Sequence, residues 1–426
     1  MRVLLVTAGS HGDINPFIAI GCALVERGHA AALLANPYYE RQVREAGIAF
    51  EPCGEFMDLR RVGEEYPDLM HPTRGTSVVV DAMIVPTSRE AFRRVHEIAA
   101  RDGLDAIVAH PVVPGAIWAA EHLGIPCAHA SLAPLYWMSR HEPLVGNGWM
   151  PPEPFWFMRR LLRAVMIPVM ERYFQPHLAR LRRELGLPPR AHLLLEAMRG
   201  GAVNLGLWSP HLRGALPDDP PGGRICGYAW HDRHGDVEAP PDDVRRFLEE
   251  GEPPILFCLG TAAVHVAGDF YDHAAAACAR IGRRGLLLMG PGRVPARRWP
   301  AGVRAFEYAP FSSVMPRCAV NVHHGGIGST GQALRAGRPT VVIPHAHDQW
   351  DNAARVLRLG VSRTLPRSRV TARSLARVLA GVAESAPMAD TARDLARRME
   401  GEDGARAAAA HVETLAAVPG GAGDAG

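Results

Sequence analysis

The densest chemical signal in the chain is Val322-His323-His324-Gly325-Gly326-Ile327-Gly328-Ser329-Thr330, which closes the apolar stretch Ala319–Val322 and opens a helical pattern. Glycines let a ligand approach the backbone closely. A helix start presents unpaired N–H groups at the positive end of its dipole, and a histidine and two hydroxyls add donors. This combination predicts a diphosphate cradle that needs neither lysine nor metal. After the next apolar stretch, Thr340–Ile343, comes Pro344-His345-Ala346-His347-Asp348-Gln349-Trp350-Asp351-Asn352. The adjacent carboxylate and carboxamide of Asp348 and Gln349 offer acceptors and a donor suited to neighbouring sugar hydroxyls. His345-x-His347-Asp348 lacks the i,i+4 spacing of helical metal ligands, and no second ligand cluster accompanies it, so no metal is expected.

A third constellation lies near the N-terminus, where Gly9-Ser10-His11-Gly12-Asp13-Ile14-Asn15-Pro16 follows the apolar run Val3–Thr7. Asp13 reads either as a helix N-cap three residues before Pro16 or as a general base. An exposed aspartate titrates near 3.9, so the second reading requires burial that raises it. His110, at the end of the run Asp105–Ala109, reads either as a satisfied half-buried histidine or as the group that orients Asp13.

The elements that would hold these residues alternate. Ala30–Ala35, Asp105–Ala109, Pro126–Ala130 and Val203–Leu207 read with Val3–Thr7 as buried strands, and helices are predicted from about Pro16 to Gly28 and over Gly115–His122. Short continuous apolar strands separated by helices imply a parallel sheet covered on both faces. The stretch 213–254 is rich in proline, glycine and acid and reads as a linker. Beyond it Ile255–Leu259, Gly285–Met289, Val303–Glu307, Ala319–Val322 and Thr340–Ile343 predict a second sheet, with a helix over Asp269–Ile281. Two such sheets leave a cleft at their carboxyl edges. The tail Pro419–Gly426 is expected to be disordered. The segment from Trp149 through Phe155-Trp156-Phe157 into an apolar helix ending near Phe174 reads three ways. It is a core helix, a pocket wall for an apolar substrate, or a membrane-surface helix flanked by Arg159, Arg160 and Arg163.

Composition removes several classes. The 426 residues contain no lysine, which excludes a Schiff-base or pyridoxal enzyme and a Walker-A phosphate loop. The formal net charge is +3 with no basic block, so no nucleic-acid partner is implied. The seven cysteines are scattered without a Cys-x-x-Cys pair, and no apolar run approaches the roughly 18 residues of a membrane span. Met1–Ala8 is too short for a signal-peptide core. A cytoplasmic protein is expected.

Together these residues resemble the GT-B-fold glycosyltransferases of family 1, which include UDP-glucosyl, glucuronosyl, sterol and antibiotic glycosyltransferases. Gly12-Asp13-Ile14-Asn15-Pro16 is similar to the family's Gly-His-x-x-Pro loop, with Asp13 at the catalytic histidine's position, as in bacterial members that use aspartate. The run 323–330 and Asp348-Gln349 match its donor signature. Gly268-Asp269-Phe270-Tyr271 and Ala346–Ala353 further resemble the rhamnolipid rhamnosyltransferases.

The resemblance implies an α/β GT-B fold, two Rossmann-like domains facing across a cleft. An acceptor-binding domain would span 1–212 and a nucleotide-sugar domain 255–395, with a C-terminal helix over 396–418. It implies an inverting, metal-independent transfer without a cofactor, from a nucleotide-sugar donor to a hydrophobic small-molecule or lipid acceptor, with peripheral membrane contact left open. Asp13 would be the base, with His110 as its partner. Gly12, His324, Gly326, Gly328, Ser329, Thr330 and Thr261 would hold the diphosphate. Tyr308 and Ala309 would pack on the base, and Asp348 and Gln349 would grip the sugar. His11, Trp137, Trp149, Phe155 and Trp156 would face the acceptor. Many UDP-dependent relatives carry a ribose-binding glutamate eight residues past the cradle histidine, where this chain has Gln332. Glutamine offers no charged bidentate acceptor, which favours a deoxyribose donor such as a dTDP-sugar.

Two other classes compete. A Rossmann oxidoreductase on Gly9–Gly12 lacks its third glycine and the acid about 20 residues on. A non-catalytic partner protein would be expected to lose the donor contacts that this chain keeps.

Overall fold

Runs such as Leu4-Leu5-Val6 and Ile107-Val108 have no polar face to offer water, so they are stable only as strands covered on both sides. The computed structural model describes residues 1–58, 65–66, 68–69, 71, 74–142, 145, 156–231 and 239–417, with the side chains of 156–166, 261–262 and 416–417 excepted. Two parallel sheets are built there. The first contains β1 (Arg2–Val6), β2 (Ala30–Ala35), β3 (Ala49–Pro52), β4 (Ala106–Ala109), β5 (Cys127–Ser131), β6 (Val203–Gly206) and β7 (Gly223–Ile225), in the order β3-β2-β1-β4-β5-β6-β7. The second contains β8 (Ile255–Cys258), β9 (Gly285–Leu288), β10 (Val303–Phe306), β11 (Val320–His323), β12 (Thr340–Val342) and β13 (Ser362–Thr364), in the order β10-β9-β8-β11-β12-β13.

Each sheet reverses its strand order once, between β1 and β4 and between β8 and β11. The crevice outside the carboxyl ends at such a reversal is where open α/β sheets bind ligands. Asp13 and His110 follow β1 and β4, and Gly260 and His324 follow β8 and β11. Both reversals therefore carry the residues that the sequence singles out.

Several boundaries differ from the sequence pattern. The first helix starts at His11, not near Pro16, with Ser10 as its N-cap. β7 extends the first sheet into the supposed linker, and the helix Asp242–Glu249 buries Val244, Phe247 and Leu248 beneath the second sheet. The helix expected to end near Phe174 runs over Trp156–Glu184, through Pro168 and Pro176. The tail 419–426 lies outside the described residues.

The single C-terminal helix expected over 396–418 is two helices, Ala386–Arg398 and Gly404–Glu413. The second crosses back to the first domain. There Ala405, Ala408, Ala409 and Val412 enter the core around Phe17 and Ile20, and Glu413 pairs with Arg27 and His29. Among the described residues no helix is long and apolar enough to cross a membrane.

Candidate active site

Asp13 occupies the first turn of the helix His11–Glu26, where its Oδ2 accepts from the Ser10 N–H at 2.7 Å and the Ser10 hydroxyl at 3.1 Å. The carboxylate thus closes on its own helix start, with Ser10 rather than Asp13 as the cap. Gly9 makes room for it. Its φ is +129°, and a Cβ there would lie 2.3 Å from Asp13 Oδ2. Burial pushes the Asp13 carboxyl up to about 6, overcoming the two Ser10 hydrogen bonds that pull it down.

His110 does not pair with it. The imidazole is buried, neither ring nitrogen has a hydrogen-bond partner, and burial lowers it to about 3, so it is neutral. Its ring lies edge-on to Phe17 at 6.0 Å and Tyr136 at 5.4 Å. The Asp13–His110 pair implied by the resemblance is therefore not formed, because Ser10 takes the carboxylate.

In the second domain His324 is clasped between two glycines. A Cβ on Gly260 would lie 2.5 Å from its Cε1, and one on Gly326 would lie 2.5 Å from its Nε2. Burial holds the imidazole well below its ordinary range, with smaller contributions from His323 and His345, so it is neutral. Its Nδ1 is buried without a partner. The helix Ile327–Arg335 begins beside it. Its first intrahelical bond runs from the Thr330 N–H to the Gly326 carbonyl at 2.9 Å, which leaves the N–H groups of Ile327, Gly328 and Ser329 without intrahelical acceptors.

Thr330 departs from expectation. Its side chain is buried with Ala333 and Leu334 on the inward face of the helix, and its N–H is already bonded, so it does not reach the cradle. Gln332, on the same helix, is half-buried with its Oε1 unpartnered. Tyr308, just past β10, leaves 40% of its surface exposed, while Ala309 beside it is buried. Thr261 lies in the short turn Gly260–Ala263, and its side chain is outside the described set.

The loop after β12 carries the sugar-binding candidates. Gln349 Oε1 accepts from the N–H groups of His345 at 2.8 Å and Ala346 at 3.2 Å, fixing the loop. Asp348 Oδ2 accepts from Asn352 Nδ2 at 2.7 Å, and the same nitrogen donates to the Gly325 carbonyl at 2.9 Å. Asn352 thus ties the glycine turn after β11 to the loop after β12; the motif contains it, but nothing in the sequence gives it that part. His345 Nδ1 and His347 Nε2 are engaged by the carbonyls of Ile343 and Leu69. Among the described residues no group of three or more His, Cys, Asp or Glu is arranged to hold a metal.

The two halves meet closely. A Cβ on Gly328 would come within 3.9 Å of Gly12 Cα, so the starts of the two helices face each other. Burial raises Asp348 to about 7 against its Asn352 hydrogen bond, and the Asp13 charge adds to the rise. The phenol of Tyr136 is raised by burial and by the charges of both aspartates. Tyr136, in the loop after β5, is thus within electrostatic reach of the carboxylates of both domains. Buried ion pairs join the halves below. Glu142 of the first domain meets Arg213 at 3.3 Å and Arg355 of the second at 3.1 Å, and Arg355 also pairs with Asp351 at 2.6 Å.

The acceptor candidates fare less well. Trp137 is fully buried, edge-on to Trp208 at 4.8 Å and beneath Arg213, where Gly206 and Gly223 leave it space, so it is a core residue and lines no cleft. Trp149 and Phe155 lie outside the described residues, and Trp156 is described only as the start of its helix. His11 remains at the cleft, 5.1 Å from the Tyr39 ring and 6.0 Å from Tyr38.

Two parallel-sheet domains with facing helix starts at their strand reversals define the GT-B class of glycosyltransferases. Residues 3–139 match the glycosyltransferase family 28 N-terminal domain, and residues 292–415 match the C-terminal domain of the erythromycin biosynthesis protein CIII-like family. The chain is 29% identical to the O-mycaminosyltylonolide 6-deoxyallosyltransferase of Streptomyces fradiae, with 98% of each chain covered. Its fold is similar to the glycosyltransferase of kitacinnamycin (TM-score 0.73, 22% identity, 97% of this chain and 98% of that one). It is also similar to the spinosyn rhamnosyltransferase SpnG complexed with thymidine diphosphate (TM-score 0.67, 18% identity, 97% of this chain and all of that one). The protein is a nucleotide-sugar-dependent glycosyltransferase of the bacterial GT-B type.

Proposed function

We propose that the protein transfers a deoxysugar, with inversion and without a metal, from a dTDP-sugar to a hydroxyl of a hydrophobic small molecule or lipid, using Asp13 as general base. The observation that carries this reading is the position of Asp13. It is a partly desolvated carboxylate whose affinity for a proton, at about 6, suits a base working near neutrality, and it faces the sugar loop across two opposed helix starts.

Asp13 takes the proton of the acceptor hydroxyl as that oxygen bonds to the anomeric carbon from the face opposite the leaving group. The anomeric carbon–oxygen bond to the diphosphate breaks, and the nucleoside diphosphate departs with the electron pair. Its growing negative charge is met by the free N–H groups of Ile327, Gly328 and Ser329 and by a ring N–H of neutral His324. Asp348 and the amide group of Gln349 orient the sugar.

A deoxyribose nucleotide is supported by Gln332 in place of a ribose-binding acid and by the thymidine diphosphate in SpnG, and a deoxysugar by the name of the Streptomyces fradiae relative. The test is thermal unfolding with dTDP, UDP, GDP or no nucleotide. At about 100 times Kd a bound nucleotide stabilises the fold by about 2.7 kcal/mol, a shift of several degrees. The largest shift is expected with dTDP. A larger one with UDP would move the donor to a ribonucleotide sugar, and no shift with any nucleotide would overturn the donor site.

A further inference from the structure

We propose that Tyr38 and Phe56 form an aromatic shelf that receives the far end of the acceptor and selects elongated apolar skeletons over small alcohols, an inference that rests on the transferase reading above. The shelf begins at the first residue of the helix that carries the base. His11 stands two residues before Asp13, its ring centroid is 6.0 Å from that of Tyr38, and Tyr38 is a further 6.0 Å from Phe56. Tyr39 buttresses the row, 5.1 Å from His11 and 5.2 Å from Tyr38. Its hydroxyl donates at 2.9 Å to the carbonyl of Gly9, the glycine under the Asp13 carboxylate. The row is thus continuous with the catalytic turn.

Phe56 leaves 64% of its surface exposed. A lone exposed apolar residue needs no explanation, but this one is held in place. The Asn36 carboxamide donates to the Glu55 carbonyl at 2.7 Å and accepts from the N–H groups of Met57 at 3.2 Å and Tyr38 at 3.1 Å. One side chain therefore fixes both sides of Phe56 and its aromatic neighbour. Met57 then packs into the core of the second domain, which places Phe56 at the seam between the halves. Exposing a large ring at a site fixed on both flanks offers a preformed apolar contact at little cost in ordering. Phe56 is the last ring of the row, separated from His11 by Tyr38, so it would contact the part of an acceptor farthest from that helix start. The ligand class is an extended, flat-faced apolar skeleton bearing one reactive hydroxyl near one end.

The test uses the full-length protein with a sterol and a macrolactone aglycone as long probes and 4-nitrophenol as the short one. Phe56→Ala is expected to raise the ratio of long-probe to short-probe KM about tenfold, mostly without change in kcat, because about 1.4 kcal/mol of apolar contact is lost. Phe56→Trp restores the ratio. Val25→Ala, which trims an exposed apolar residue in the last turn of the first helix, leaves it unchanged. An unchanged ratio in Phe56→Ala overturns the shelf. If the wild type transfers no sugar, the transferase reading falls. The fluorescence difference between Phe56→Trp and the wild type then still decides the shelf: a response to the long probes upholds it, and none overturns it.

Discussion

The two helix starts that face each other across the cleft are built alike and used in opposite ways. Each follows the strand beside a reversal of its sheet, each opens on glycines, and each presents its positive dipole end to the other. The first is filled from within, since Asp13 folds back onto Ser10 and occupies its own helix start. The second is left open, with three amides lacking intrahelical acceptors and a neutral histidine whose Nδ1 finds no partner. The first helix start is thus closed by its own side chain, while the second leaves its amides unpaired within the helix.

The comparison breaks first at Asp13. Asp13→Asn preserves the shape of the helix start and removes the proton acceptor, so kcat is expected to fall by roughly 10²–10⁴. The nucleotide-induced rise in Tm should persist, because that site belongs to the other helix. A loss of both together would mean that the two ends are not separate devices. Gly326→Ala attacks the open end instead. Its Cβ would press on His324 Nε2, and nucleotide affinity measured by calorimetry should drop about tenfold to a hundredfold.

Two finer tests use pH. Asp348 titrates higher in the fold than in the unfolded chain, so the folded state holds a proton that the unfolded state releases between about 4 and 7. This group's contribution therefore falls as pH rises through that window. Asp348→Asn, free of the penalty, should melt above the wild type at pH 8, with the gap closing toward pH 4. Activity of the wild type should rise with pH through about 6 as Asp13 loses its proton. Ser10→Ala removes one hydrogen bond that favours the charged carboxylate, and the acid limb of the pH–rate profile should move to higher pH. An unmoved limb would assign that titration to another group.

The central strands were legible because burial on both faces leaves an uninterrupted apolar run. β3, β7 and β13 were not, and all three lie at sheet edges. An edge strand is short and partly exposed, so Gly223-Arg224-Ile225 and Ser362-Arg363-Thr364 carry no run to detect. Pro16 misled the first helix boundary. Proline removes the donor that the Gly12 carbonyl would use, yet the helix tolerates it at its sixth residue.

At the site, positions set within one motif were legible: Asp13 at its helix start, His324 among its glycines and Gln349 in its loop. Tyr136, Phe56 and the inward turn of Thr330 depend on which elements pack together, and local spacing does not encode that. Trp137 shows the same limit from the other side, because an aromatic beside a substrate and one beneath a sheet look identical in sequence.

The crossing of the helix Gly404–Glu413 back onto the first domain has a consequence for how the chain is made. Ala405, Ala408, Ala409 and Val412 complete a core whose other walls, from Val3 to Ala229, are all translated well before them. At about 5–20 residues per second, the ribosome leaves that surface uncovered for tens of seconds before its last helix emerges. The first half can collapse early, but its apolar seam closes only after the helix Gly404–Glu413 has been made. Products of premature termination would lack that closure and expose the seam to chaperones and proteases.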